Sequence, residues 1–232
     1  MLWGLKPVEQ KAAHGLALES IRRSIFLGLL LPDERMASER RLAEQIGISR
    51  VTLREALSVL ESEGFIKIKR GASGGAFVAS ENALRQMAEN QASAQTTEVL
   101  RIIEFREHVE PMAARLAAIR RSPADLKQID EALSGLTNAT SLGEVRQGEA
   151  AFHLSVARAS GNRFLADGLE DAMGAVLLPF PLGDVATEAR SSLTLRQAVA
   201  GAIRGRNEQR ASDAMTAALV EDRKRLPSRQ VA

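Results

Sequence analysis

Residues 31–57 read Leu31-Pro-Asp-Glu-Arg-Met-Ala-Ser-Glu-Arg-Arg-Leu-Ala-Glu-Gln-Ile-Gly-Ile-Ser-Arg-Val-Thr-Leu-Arg-Glu-Ala-Leu57, and Leu60-Glu-Ser-Glu-Gly-Phe-Ile66 follows closely. Pro32 stops any helix before it, because proline lacks an N–H and clashes with the preceding turn. Ser38 has the form of an N-cap, with Leu42, Ala43 and Ile46 on the inward face of the short helix it opens. Gly47 ends that helix, as a residue tolerant of the left-handed conformation. Ser49 caps a second helix whose inward face is Leu53, Ala56, Leu57 and Leu60, and Gly64 closes it. Phe65-Ile66-Lys67-Ile68-Lys69 alternates as a half-buried strand. Gly71 to Gly75 forms a flexible tip, and Ala76-Phe77-Val78 returns as a second strand. Upstream, Leu16, Ile21, Ile25 and Leu29 recur at helical spacing within Glu9–Leu30. The order is helix, helix, turn, helix, hairpin.

That order predicts a winged helix-turn-helix, whose second helix enters a DNA major groove by its N-terminal end. Ser49, Arg50, Thr52 and Arg54 fall in the first turn and a half of that helix. Arginine can bond both acceptors on a guanine edge, while Ser, Thr and helix N-terminal amides suit phosphate. The hairpin carries Lys67, Lys69 and Arg70 beside Gly71, which lets the backbone approach a phosphate chain closely. The bland alternative is an amphipathic helix pair with solvated charges.

The same stretch closely resembles the GntR family of bacterial regulators. That resemblance implies DNA contacts at Arg40, Ser49, Arg50, Thr52 and Arg54, with Arg70 and Gly71 at the wing. Many relatives have Thr or Ala where Val51 stands, and an apolar contact to a thymine methyl is open there.

Residues 81–97 are polar and rich in Ala and Gln, and read as a linker that is partly helical. Beyond them the chain reads as helices near 98–120, 123–137, 142–160, 163–178, 188–204 and 207–226. Breaks are expected at Ser122-Pro123, Gly161-Asn162, Pro179 to Gly183 and Gly205. The fold class expected is mainly α: a winged helix-turn-helix over 1–80, then an antiparallel helical bundle over 98–232.

Glu104-Phe-Arg-Glu-His-Val-Glu-Pro-Met-Ala-Ala-Arg-Leu-Ala-Ala118, Phe152-His153 and Ala159-Ser-Gly-Asn162 resemble the ligand-binding (FCD) domain of the FadR branch. The resemblance implies a bundle that serves dimerisation and binds a small organic acid, with Arg106 in the pocket. Many such domains also hold a divalent metal on one Asp and three His. Here Glu149 stands at the Asp position, four residues before His153, while Arg196 and Ala218 stand where the second and third His belong. One His and one carboxylate do not make a tight transition-metal site, so neither metal nor other cofactor is expected.

Spacing draws attention to the same residues. Leu193, Arg196, Ala200 and Ile203 lie 3, 4 and 3 apart, and Val145, Glu149, Phe152 and Val156 lie 4, 3 and 4 apart. Arg196 and Glu149 therefore sit on apolar stripes, where an unpaired charge is too costly. Either they pair with each other, or Arg196 grips an anionic ligand. His153 is open to a structural role in the core, Arg106 to a solvated one, and Asn162 to capping the helix after Gly161.

Composition narrows the class. The 232 residues contain no Cys, which excludes disulfides and thiolate sites. Residues 1–80 hold 12 basic and 9 acidic side chains, and the remainder 19 and 20, so a basic head sits on a near-neutral body. The longest apolar run, Ile25–Leu31, is too short to span a bilayer, and Met1–Lys6 lacks signal-peptide form. A cytoplasmic location is expected. The chain offers no activated nucleophile and no Gly-rich phosphate loop, so it is not expected to be an enzyme. The leading expectation is a homodimeric regulator, a repressor, binding a double-stranded DNA operator under control of a small organic acid. A metal-responsive regulator of the same fold and an effector-free architectural DNA-binding protein are the alternatives. Polar residues on apolar stripes speak against the latter.

Overall fold

The computed structural model describes residues 13–71, 74–94, 96–177 and 184–224. Met1–Lys6, the Glu9–Ala12 start of the first helix, the Ala72-Ser73 tip, the break from Pro179 to Gly183 and the last residues of the final helix lie outside the described residues.

The chain divides into two compact units. One comprises residues up to Arg22 together with Asp33–Ala79; the other comprises Arg23–Pro32 and residues from Ser80 onward. α1 (Ala13–Phe26) crosses the division after Arg22, and the first unit continues with α2 (Glu39–Ile46), α3 (Arg50–Ser62), β1 (Ile66–Lys69) and β2 (Gly75–Val78). α1 ends at Phe26, six residues before Pro32, and Gly28 at φ 71° turns the chain out of the helix. Leu16 and Leu29, expected to face inward, are consequently exposed, and Ala17, Ile21 and Ile25 form the buried stripe at a spacing of four. Ser38 caps α2 by accepting from the Arg41 amide, and Gly47 at φ 79° ends it. β1 and β2 pair antiparallel with Ile66 opposite Val78 and Lys69 opposite Gly75. Phe65 belongs to the turn leaving α3, its amide donating to Leu60 O at 2.9 Å. Phe65 and Ile66 are therefore both buried while Ile68 is exposed, and the alternation expected across 65–69 is not kept.

From Ser80 on, the regular elements among the described residues are all helices: α4 (Glu81–Ala94), α5 (Thr96–Arg120), α6 (Pro123–Thr137), α7 (Leu142–Ala159), α8 (Arg163–Ala175), α9 (Val185–Arg204) and α10 (Glu208–Lys224). The segment read as a linker is thus mostly the helix α4, which buries Leu84 and Ala88. The Ser122 side chain accepts from the Asp125 amide and the Asp125 carboxylate accepts from the Ser122 amide, a capping box that starts α6. The main core joins α5, α6, α7, α9 and α10 through Ala117, Ile129, Phe152, Ile203 and Met215. Small residues set its spacing. A Cβ on Gly148 of α7 would come within 2.8 Å of the Leu136 side chain of α6. Among the described residues no helix is long and apolar enough to cross a membrane.

Candidate functional site

In the first unit, α3 presents its N-terminal end as the sequence suggests. Ser49 is the N-cap: its hydroxyl accepts from the Thr52 amide at 3.0 Å and lies 2.8 Å from the Thr52 hydroxyl. Leu53, Ala56, Leu57 and Leu60 are buried and fix the helix, while Arg50, Val51 and Arg54 face outward. Arg54 Nε donates to Glu39 Oε2 at 2.7 Å and Arg40 Nη1 to Glu44 Oε1 at 2.9 Å; all four side chains are exposed. Exposed pairs of this kind hold arginines in extended form at little cost, so they can be exchanged for a stronger anion. Arg70 and Gly71 are exposed at the end of the hairpin, Gly71 with φ 103°, and Lys69 Nζ stands 4.4 Å from the centre of the Phe77 ring. Basic side chains thus lie on both the helix end and the hairpin, the two parts that a winged fold offers to DNA.

The second unit holds a buried polar cluster. Arg196 on α9 is wholly buried. Its Nη2 donates to Asp222 Oδ2 at 2.8 Å and Oδ1 at 2.9 Å on α10, lies 3.2 Å from His153 Nε2 on α7, and is 3.5 Å from Glu149 Oε1. The other ring nitrogen of His153, Nδ1, contacts Glu110 Oε2 on α5. His153 thus lies between the Glu110 carboxylate and the Arg196 guanidinium, and its Nε2 is also 3.7 Å from Asp222 Oδ2. Glu110 also accepts from Arg106 Nε at 2.5 Å, and Arg106 Nη2 reaches to 4.0 Å from Asp222. Four helices therefore contribute to one continuous network.

Burial works against every charge in it, and the neighbours decide the outcome. Burial would raise the pKa of Glu110, but the Arg106 guanidinium and His153 more than offset this and hold it at about 2. Burial likewise opposes ionisation of Asp222, yet Arg196, His153 and Arg106 bring its pKa below the ordinary value. Arg106 and Arg196 stay charged, their pKa values raised against desolvation by Glu110 and Asp222 respectively. Desolvation brings the half-buried Arg146 down to about 10, against the pull of Glu149.

The FCD domain model matches residues 101–221, and the model of the bacterial regulatory proteins of the gntR family matches residues 17–78. The chain belongs to the GntR family. It is 34% identical over 142 residues to the HTH-type transcriptional regulator LutR of Bacillus subtilis, covering 60% of this chain and 64% of LutR. It is 32% identical over 170 residues to the Glc operon transcriptional activator of Escherichia coli, covering 70% of this chain and 66% of that protein. The chain thus spans just under two thirds of the length of these two relatives. E. coli McbR/YncC shares the fold at a TM-score of 0.52 and 20% identity, over 93% of this chain and 97% of that one. The chain carries both parts of that architecture, a gntR-type winged helix-turn-helix head and a helical FCD domain.

Within this GntR-family chain, the candidate effector residues singled out by sequence divide two ways. Arg106, Glu149, His153 and Arg196 come together in the cluster. Arg106 is buried rather than solvated, and Arg196 has its nearest carboxylate in Asp222 rather than Glu149. The Asn162 side chain is the N-cap of α8, accepting from the Phe164 amide at 3.1 Å. The sequence reading missed Glu110, Asp222 and Ser192. Each had a signal: Glu110 lies one turn after Arg106, Ser192 one turn before Arg196, and Ala211, Met215, Ala218 and Asp222 lie 4, 3 and 4 apart on α10.

The divalent metal of related FCD domains does not fit these residues. The Arg196 guanidinium already lies against His153 Nε2 and the Asp222 carboxylate, where a metal would draw its ligands, and Ala218 offers no donor. A permanent cation cannot share that space with a second one. Among the described residues no group of three His, Cys, Asp or Glu side chains is arranged to hold a metal ion.

Proposed function

We propose that this regulator changes its operator affinity when a small organic acid binds the cluster around Arg196 in the helical domain. The observation that carries the reading is a wholly buried arginine whose Nε and Nη1 have no hydrogen-bond partner among the described residues. A buried donor left unmade costs about 1–3 kcal/mol, more when the group is charged. A core that only needed filling would hold an apolar side chain at position 196. An acid that binds one arrangement of the helices better than another shifts the balance between them, and DNA affinity shifts by the same free energy. Arg106, Glu149, His153 and Arg196 are the effector residues in this reading. Arg40, Ser49, Arg50, Thr52, Arg54, Arg70 and Gly71 are the DNA residues, supported by their exposure on α2, α3 and the hairpin.

A homodimer completes the proposal, since two heads read a two-fold symmetric operator. Phe105, Met112 and Ile119 are exposed at intervals of seven along α5, a repeat that keeps them on one side of the helix. Phe164 is 73% exposed at the start of α8, one turn before Gly168, which faces the Phe105 ring. Such a stripe suits an apolar interface away from the buried cluster. A thermal-shift screen of the purified protein against short organic acids tests the effector reading. A concentration-dependent rise in Tm is expected, and no response to any acid overturns it.

A further inference from the structure

We propose that Arg196 is the built-in cation of the effector site. A monocarboxylate would dock on its Nε and Nη1 N–H groups and on the Ser192 hydroxyl, with no metal ion taking part. The inference rests on the effector reading above and specifies its atoms.

Every partner of Arg196 in the structure is reached through one nitrogen. Nη2 carries the contacts to Asp222, His153 and Glu149, while Nε and Nη1 are buried without an acceptor among the described residues. Three N–H bonds of a permanent cation are thus left without a hydrogen bond to those residues. Ser192 lies one turn earlier on α9, is wholly buried, and its Oγ also has no partner among the described residues. Side chains four apart on a helix are neighbours. Two adjacent buried groups on one helix face therefore both lack an acceptor, and an ionised oxygen acid supplies one. Hydrogen bonds to charged groups are the strong ones, and guanidinium–carboxylate geometry favours them further.

Charge balance sets the ligand's valence. Arg106 and Arg196 already lie against three carboxylates, Glu110, Asp222 and Glu149, so the Nε and Nη1 side of Arg196 is the part of the cluster's cations that these carboxylates leave uncovered. One added negative charge can be held by the uncovered side of Arg196. A second would lie among three carboxylates with no cation left to meet it, at the desolvation cost of an unpaired buried charge. The ligand class is a short monocarboxylate whose remaining part fills space rather than carrying charge.

The test is calorimetry on the full-length dimeric or monomeric protein as purified, with acetate, glycolate, L-lactate, pyruvate and succinate as probes, with and without EDTA. Elemental analysis is run in parallel. The expectation is that at least one monocarboxylate binds, succinate does not, EDTA leaves Kd unchanged, and no divalent metal is present in stoichiometric amount. Ser192→Ala should weaken binding about tenfold with an unchanged circular dichroism spectrum, the loss expected for one hydrogen bond to a charged ligand. Arg196→Lys keeps the charge but loses the planar donors and should weaken binding more. Ser192→Ala is the variant that keeps the test decisive should Arg196→Lys fail to fold. Loss of both metal and binding in EDTA overturns the inference. So does wild-type affinity in Ser192→Ala, or in a folded Arg196→Lys, and in each case the broader effector reading stands. Binding of none of the probes, where other organic acids raise the Tm, overturns the monocarboxylate assignment alone. No response to any acid overturns both.

Discussion

Asp222 holds Arg196 from the neighbouring helix, both of its carboxylate oxygens within 2.9 Å of Nη2. Asp222 stands one turn beyond Ala218 on α10, so an acid beside the position of a missing donor secures the cation. Arg196 is wholly buried, and its pairing with Asp222 ties α9 to α10.

Asp222→Ala should therefore destabilise the protein by about 3–5 kcal/mol, the usual result of leaving one member of a buried pair alone. Replacing both partners, as Asp222→Leu with Arg196→Met, should recover most of that loss because no charge is stranded. Urea denaturation of the three proteins checks this. Equal stability of Asp222→Ala and wild type would show that Arg196 is held by Glu149 alone.

Glu110 gives the pH dependence. Its folded pKa of about 2 lies below the ordinary carboxylate value near 4.5, because Arg106 and His153 outweigh the effect of burial. A group with a depressed folded pKa stabilises the fold above its unfolded pKa, and that contribution fades as pH falls towards the folded value. The stability advantage of wild type over Glu110→Gln should hence be full at pH 6 and shrink between about pH 4.5 and pH 2. A shift of this size corresponds to on the order of 3 kcal/mol. A constant difference across that range would show that Glu110 is not held ionised by its neighbours.

The exposed stripe on α5 makes its own prediction. Met112→Glu or Ile119→Glu should convert a dimer to a monomer at micromolar concentration, since a charge buried in an apolar interface is not tolerated. Light scattering gives the mass directly. A wild-type protein that is already monomeric, or variants that remain dimeric, would remove α5 from the interface.

The winged head was legible in the sequence because each element is marked by its own punctuation: Ser38 and Ser49 as caps, Gly47 as a stop, and four buried residues along α3. α6 and α7 were equally clear, with Ser122 and Ser141 both capping as their positions suggest. The end of α1 was not, since Gly28 ends the helix well before Pro32 does. The polar segment 81–97 read as a linker that is only partly helical, because the face that α4 buries among its described residues is little more than Leu84 and Ala88. In the cluster, Arg196 stood out as a charge on an apolar stripe, but its partner could not be chosen from spacing. Asp222 lies 26 residues away on another helix, and only packing brings the two together. Glu110 was passed over because an arginine and a glutamate four apart usually form a solvated surface pair.

On the DNA side, Arg50→Ala and Arg54→Ala should each weaken operator binding by about 1–3 kcal/mol, the range for one base-reading arginine. Arg70→Ala, at the wing, should weaken binding to all sequences alike and lower the salt slope by about one. Fluorescence anisotropy at several salt concentrations separates the two effects. Unchanged affinity in all three variants would move the DNA interface off α3 and the hairpin.

The central claim is that acid binding in the helical domain is coupled to DNA binding in the head. The most direct measurement is an anisotropy titration of the regulator on its operator fragment, with and without a saturating concentration of a carboxylate that binds by calorimetry. The account predicts an operator Kd that changes at least fivefold, the lower end of ordinary coupling free energies. It also predicts no change when the same titration is run with Arg196→Lys. An operator affinity identical in the presence and absence of every acid that binds the protein would contradict it.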